Sequence, residues 1–223
     1  MIELAKPALD VGLQIAADDP TAMLAFHRDR VGLRFDHDLP LGGGRMQSRH
    51  GWGDSVIKLN HGRGGTARGT ATGWANLTLR SPAHASQEAL VDPEGNALRL
   101  EPGPREAIRI ELRVTDAPAS RAFFAALGLP LEADGFMIGA STVSIVEDPA
   151  ATAGGLDGTG LRYVTLQVPR ADDAHALALA AGAREGMAPR TLGEVARISF
   201  VVEPGGNWIE LSQRASLVGS LAK

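Results

Sequence analysis

An α+β fold built from two tandem copies of one mostly-β unit is what the sequence predicts, and three observations predict it. First, VGLQIAADD at 11–19 runs into TAMLAFHRDR at 21–30 and then Val-Gly-Leu. Far downstream, IRIELRVTD at 108–116 runs into APASRAFFAA at 117–126 and then Leu-Gly-Leu. Second, LVDPEGNALRLE at 90–101 answers VVEPGGNWIELS at 201–212. Third, SVIKLN at 55–60 answers STVSIV at 141–146, and NLTLR at 76–80 answers YVTLQ at 163–167. These pairs divide the chain into copies at 1–103 and 107–214, with 104–106 as linker and 215–223 as tail.

Each element has a local reason. The segments at 11–19 and 108–116 alternate as half-buried strands do, and each ends on an aspartate, Asp19 or Asp116, that can cap a helix N-terminus. The apolar residues of the following ten-residue stretches recur at helical spacing, and Gly32 and Gly128 stop them. The Pro/Gly turns of DPEGN and EPGGN read as β-hairpins. In EPGPRE at 101–106, proline and glycine interrupt any element. The copies differ in one place: ADDAHALALAAG at 171–182 is a helix ending in Gly182, and the first copy has no counterpart, so it is abbreviated. The Gly-rich stretch 62–73 follows a strand without opening a helix and is no phosphate loop.

Composition removes several function classes. The 223 residues carry a net charge of -4 and only 4% aromatics. That leaves neither an electrostatic footprint for a phosphate backbone nor a stacking platform for single strands, so no nucleic-acid partner is expected. Without cysteine there is no disulfide framework, thiolate metal site or thiol nucleophile. No apolar run near 18 residues and no signal-peptide h-region occur, so no membrane partner is expected and the default location is cytoplasmic.

With strand–Asp–helix starts, FH or FF followed by VG or LG, VDPEGN at 91–96 and ARISFVVEPGGNWIEL at 196–211, the chain resembles the vicinal oxygen chelate superfamily. Glyoxalase I, bleomycin and fosfomycin resistance proteins and extradiol dioxygenases belong to it. The resemblance implies two tandem domains built from paired βαβββ modules, the first domain abbreviated. Their curved sheets form cups, and metal ligands, where present, lie on inward positions of the first and last strand of each module.

Carried over residue by residue, those positions in the second copy are Arg109, with Glu111 on its face, then Ser144, Tyr163 and Glu210. In the first copy they are Gly12, with Gln14 on its face, then Lys58, Asn76 and Arg99, with Glu101 two residues late. In the second copy only Glu210 matches a ligand type of the family. Lysine and arginine repel a cation, so no metal belongs with the first set. A divalent cofactor in the second would have Glu210 as its one matched ligand.

Each candidate has two readings. Glu210 is a ligand or general base, or else the partner of Arg109 in a salt bridge. Glu111 shares that ambiguity, with Arg109 or Arg113 as partner. Tyr163 is a hydrogen-bond donor or acid in the cup, or a half-buried strand residue. Lys58, Asn76, Arg99 and Gln14 line a pocket for an anionic or carbonyl-bearing molecule, or fill a remnant with salt bridges. Among the histidines, His27 is a packing residue, His37 lies on an exposed strand and His175 faces solvent. His50, His61 and His84 lie in or beside loops that could meet at a cup rim.

Two functions follow from the resemblance. One is a lyase, isomerase or extradiol-type dioxygenase acting on a small oxygenated or aromatic molecule in the C-terminal cup, with Glu210 and Tyr163 as catalytic residues. The other is a metal-free small-molecule binding protein of the bleomycin-resistance kind. Either way the partner is a small molecule, and the chain is a monomer or homodimer.

Overall fold

The computed structural model describes residues 1–219 and 221. The first module comprises β1 (Leu9–Gln14), α1 (Thr21–Ala25), β2 (Arg34–Gly42), β3 (Arg45–Trp52) and β4 (Ser55–Gly62). Asp19 Oδ1 accepts from the Thr21 amide at 2.9 Å, and α1 continues as a π-helical turn over Phe26–Arg30. The second module holds only β5 (Trp74–Ser81), β6 (Glu88–Val91) and β7 (Ala97–Pro102), with no helix.

The third module runs β8 (Ala107–Val114), α2 (Ala117–Ala126), β9 (Leu131–Glu132), β10 (Gly135–Ile138) and β11 (Ser141–Glu147). Helix α2 begins where Asp116 accepts from the Ala119 amide at 2.9 Å, with a proline in the first turn. The fourth comprises β12 (Gly160–Gln167), α3 (Ala171–Ala180), β13 (Arg184–Leu192), β14 (Ala196–Val202) and β15 (Trp208–Arg214), followed by the short α4 (Ala215–Val218).

The strands form two sheets, and each sheet takes one module from each copy. The eight-stranded sheet has the order β13-β14-β15-β12-β1-β4-β3-β2, and the seven-stranded sheet β6-β7-β5-β8-β11-β10-β9. The first strand of a module is its inner edge and needs a partner. Strand β1 pairs antiparallel with β12, and β5 with β8, so neither 1–103 nor 107–214 closes a sheet alone. The connections explain the choice. Only residues 103–106 separate β7 from β8, which keeps modules two and three together, while 63–73 and 148–159 carry the chain between sheets.

The hairpin motifs act as turns built around one carboxylate. Asp92 accepts from the amides of Glu94 and Asn96 at 2.9 and 2.8 Å, and Gly95 adopts φ +91°. Buried Glu203 does the same for Gly205 and Asn207, and also accepts from Ser120 Oγ at 2.6 Å, tying the turn to α2. One continuous apolar core, including Leu13, Leu59, Leu112, Phe123 and Leu211, joins both sheets and the helices. His175 corrects an expectation. It is buried, with Nε2 at 3.1 Å from Glu185 Oε2, because β13 folds across the face of α3 that carries it.

Candidate functional site

The exchange of modules regroups the carried-over positions. Gly12, Lys58, Tyr163 and Glu210 meet on the concave face of the eight-stranded sheet, where Gly12 pairs with both Lys58 and Tyr163. Asn76, Arg99, Arg109 and Ser144 meet on the seven-stranded sheet, around a cavity of about 180 Å³. The expected cup within 107–214 alone is therefore corrected: the larger cup is built by the first and fourth modules. A salt bridge between Arg109 and Glu210 is excluded as well, since the two stand on different sheets.

The partner of Glu210 is Lys58. Lys58 Nζ lies 2.5 Å from Glu210 Oε2 and 2.6 Å from Thr165 Oγ1, and the Thr165 hydroxyl in turn donates to Glu210 Oε2 at 2.6 Å. Parallel pairing of β12 with β15 puts Thr165 beside Glu210, which closes the triangle. Lys58 is 2% exposed and Glu210 7%. Burial pushes the proton affinity of Lys58 down, and the Glu210 carboxylate beside it pulls the other way.

Tyr163 is buried above this pair, with Lys58 Nζ 5.5 Å from its ring centre. Its hydroxyl accepts from Asn60 Nδ2 at 3.3 Å. Burial, with the Glu210 charge second, raises its pKa, so the phenol keeps its proton and can serve only as a donor or acid. Asn60 also accepts from Gln47, which accepts from Arg49 at 2.8 Å, and Gln14 accepts from Arg45 at 3.0 Å. A polar network thus floors a cavity of about 420 Å³.

One wall of that cavity is apolar. Tyr163, Ala196, Ile198 and Phe200 form a cluster separate from the main core, with Leu156, Leu192 and Trp208 packed on it. Phe200 meets the Tyr163 ring edge-on at 5.3 Å. The opposite rim is Leu39, Pro40 and Leu41 of the edge strand β2. The cup is amphipathic, with a hydrogen-bonded floor and a greasy side.

The residues present do not fit a divalent ion. At the four inward places stand a glycine covered by a tyrosine ring, a lysine, that tyrosine and one carboxylate. The carboxylate already accepts from an ammonium and a hydroxyl. Among the described residues no three His, Asp or Glu side chains group as a metal site needs. His50 and His61 lie on the opposite face of the sheet, His50 against the Phe35 ring and His61 near Ser48. His84 stacks on Trp52. In the smaller cup Glu111 accepts from Arg113 Nε at 2.5 Å and from Asn76 Nδ2 at 3.2 Å, and Arg109 lies 3.7 Å from Asp134.

Residue-by-residue reasoning missed Thr165, Arg45, Arg190 and Arg214. Strand alternation carries the signal for two of them: Thr165 is two residues beyond Tyr163, and Arg214 four beyond Glu210, on the same faces.

Residues 107–211 match the model of the Glyoxalase/Bleomycin resistance protein/Dioxygenase superfamily. No curated protein matches the sequence. Among solved structures, glyoxalase I from Zea mays is similar with a TM-score of 0.76 at 14% identity, over 95% of this chain and 95% of that one. A putative dioxygenase from Bacillus subtilis subsp. subtilis str. 168 gives 0.73 at 12% identity, over 100% of this chain and 92% of that one. The cppA protein from Streptococcus pneumoniae TIGR4 gives 0.57 at 11% identity, over 92% and 98%. At such identities the likeness is one of fold.

Proposed function

From its vicinal oxygen chelate fold and the superfamily match of residues 107–211, we propose that this chain binds a small oxygenated organic molecule in the cup of the eight-stranded sheet, without a divalent ion. One observation carries the reading: the Lys58 ammonium sits at an inward place where the family's ligands converge, held 2.5 Å from Glu210 at the floor of the cavity. A fixed cation there offers a ligand oxygen a charged hydrogen-bond donor, the role a metal would otherwise fill electrostatically. The Tyr163 phenol, kept protonated, supplies a second donor.

An enzymatic use of the same cup has its own support. Lys58 has a lowered proton affinity and direct contact with a carboxylate, an arrangement suited to proton transfer in a lyase or isomerase. The donor set gives a dioxygenase reading no comparable support.

The test is metal content against ligand binding. Purified protein offered ferrous, manganous, nickel and zinc ions is expected to retain less than stoichiometric metal, and a ligand found by calorimetric screening is expected to bind equally with and without chelator. One tightly held equivalent of metal that disappears in Glu210→Gln overturns the reading.

A further inference from the structure

We propose that the ligand of this cup is an amphiphilic organic acid whose anionic head is held by Arg214 and Arg190, and whose apolar body lies on Ile198 and Phe200. The inference rests on the reading of the cup as a small-molecule site and names its ligand class.

The placement of the two arginines follows from the sheet register. Ile198 on β14 is flanked by Arg190 of β13, and Ala196, next along the same face, pairs with Arg214 of β15. Two guanidinium groups therefore border the apolar ridge of Phe200, Ile198 and Ala196, and both line the large cavity. Neither makes a hydrogen bond or ion pair among the described residues.

The other cations at this cavity each have hydrogen-bond partners within the protein, and Lys58, whose charge Glu210 balances, keeps one ammonium hydrogen for a ligand oxygen. Lys58 is bound to Glu210, Arg45 donates to Gln14, and Arg162 donates to the carbonyls of Thr70, Gly155 and Thr159. Of the two acids at the cavity, Glu210 is engaged at the floor and Asp157 is an exposed loop residue at the mouth. The cavity lining thus carries a surplus of positive charge, and the two guanidinium groups in it without a hydrogen-bond partner among the described residues are those of Arg190 and Arg214.

Arg214 is the costlier of the two. It is half-buried, and burial together with the nearby Arg49 charge lowers its proton affinity. The more distant carboxylates of Glu210, Asp10 and Asp36 pull the other way without pairing with it directly. A partly desolvated guanidinium lacking a hydrogen-bonded partner costs free energy that an incoming carboxylate, sulfonate or phosphate recovers. The adjoining wall of Ile198, Phe200 and Leu192 offers that head group no hydrogen bonds. It suits a ring or short chain, and the volume of about 420 Å³ lies at the small-ligand end of ligand pockets, about 300–1,000 Å³.

The test compares matched acids and amides on the full chain by calorimetry: 1-naphthoate against 1-naphthamide, and octanoate against octanamide. At least one acid is expected to bind about tenfold or more tightly than its amide, the difference a charge-assisted pair supplies. Arg214→Met is expected to cut acid affinity about tenfold while leaving amide affinity within about threefold, and to melt no lower than the parent. The exposed Arg190→Met is expected to act in the same direction without touching the fold. Equal binding of acid and amide, or acid binding unchanged in both variants, overturns the head-group assignment while leaving the cup a small-molecule site. Failure of both acids and both amides to bind overturns both statements.

Discussion

The ring of Tyr163 occupies the space that any side chain at residue 12 would need. A Cβ built on Gly12 meets Tyr163 Cζ at 2.2 Å and Cε1 at 2.3 Å, because the two residues face each other across the β1–β12 pair. The first-strand place of the cup is thus closed by its neighbour. Gly12→Ala is expected to lower stability by about 1–3 kcal/mol, the usual cost of overpacking. In urea titrations the double variant Gly12→Ala/Tyr163→Ala should lose less than the sum of the single losses. Strict additivity would mean that the ring moves aside freely.

The Lys58–Glu210 pair makes a second prediction. Lys58→Met leaves a 7% exposed carboxylate with only the Thr165 hydroxyl beside it. The expected loss is about 3–5 kcal/mol, since breaking a buried pair strands the other charge. Lys58→Met/Glu210→Leu removes both charges and should regain most of that loss. A double variant as unstable as the single one would show that the pair itself, rather than the stranded charge, matters.

The same pair marks where sequence reading succeeds and where it stops. Alternation, Asp19, Asp116 and the DPEGN and EPGGN turns made the modules visible, and the family pattern pointed to Lys58, Tyr163 and Glu210 as inward residues. All of that is local information with period two or four. Which inward residues share a cup is a long-range fact. Lys58 and Glu210 are hydrogen-bonded across 152 positions, set by the pairing of β1 with β12. Repetition alone suggests that each copy folds on itself. The short 103–106 connection and the free inner edge of each module decide otherwise, and neither leaves a residue signature at Lys58. Alternation puts Arg214 on the Glu210 face, but that it and Arg190 lack an ion-pair partner is invisible for a different reason: an unpaired charge is recognised only once every nearby acid is placed.

Acid stability should follow the buried histidines. Burial is the leading cause that lowers the pKa of His27, His50 and His61 from the ordinary imidazole value of 6.5. A histidine with a depressed folded pKa binds its proton more readily when unfolded. Its contribution is therefore complete above pH 6.5 and is lost as the pH falls toward the folded value. His27 is fully buried, with Nδ1 2.9 Å from the Met23 carbonyl, and so should contribute most. The melting temperature should fall as pH drops below 6.5, and His27→Leu should flatten that slope. A slope unchanged in the variant would assign the acid loss to other groups.

Arg162 controls the two connections between sheets. It is 1% exposed, and its guanidinium donates to Thr70 O at 2.8 Å, to Gly155 O at 3.1 Å and to Thr159 O. Burial lowers its proton affinity, which those three carbonyls offset by accepting its hydrogen bonds. One side chain thereby fastens 63–73 to 148–159, alongside the Gly154 amide donating to Ala71 O at 2.9 Å. A Cβ on Gly158 would sit 2.3 Å from Arg162 Nη2, so the glycine makes room for the clamp. Arg162→Met should cost about 1.5–3 kcal/mol and speed hydrogen exchange at Gly154 and through both connections, with the α2 amides unaffected. Leu156 and Asp157 of the released segment border the large cavity, so ligand affinity should drop in parallel. Faster exchange spread evenly over both sheets would instead make Arg162 a general core residue and break its particular link to the mouth of the cup.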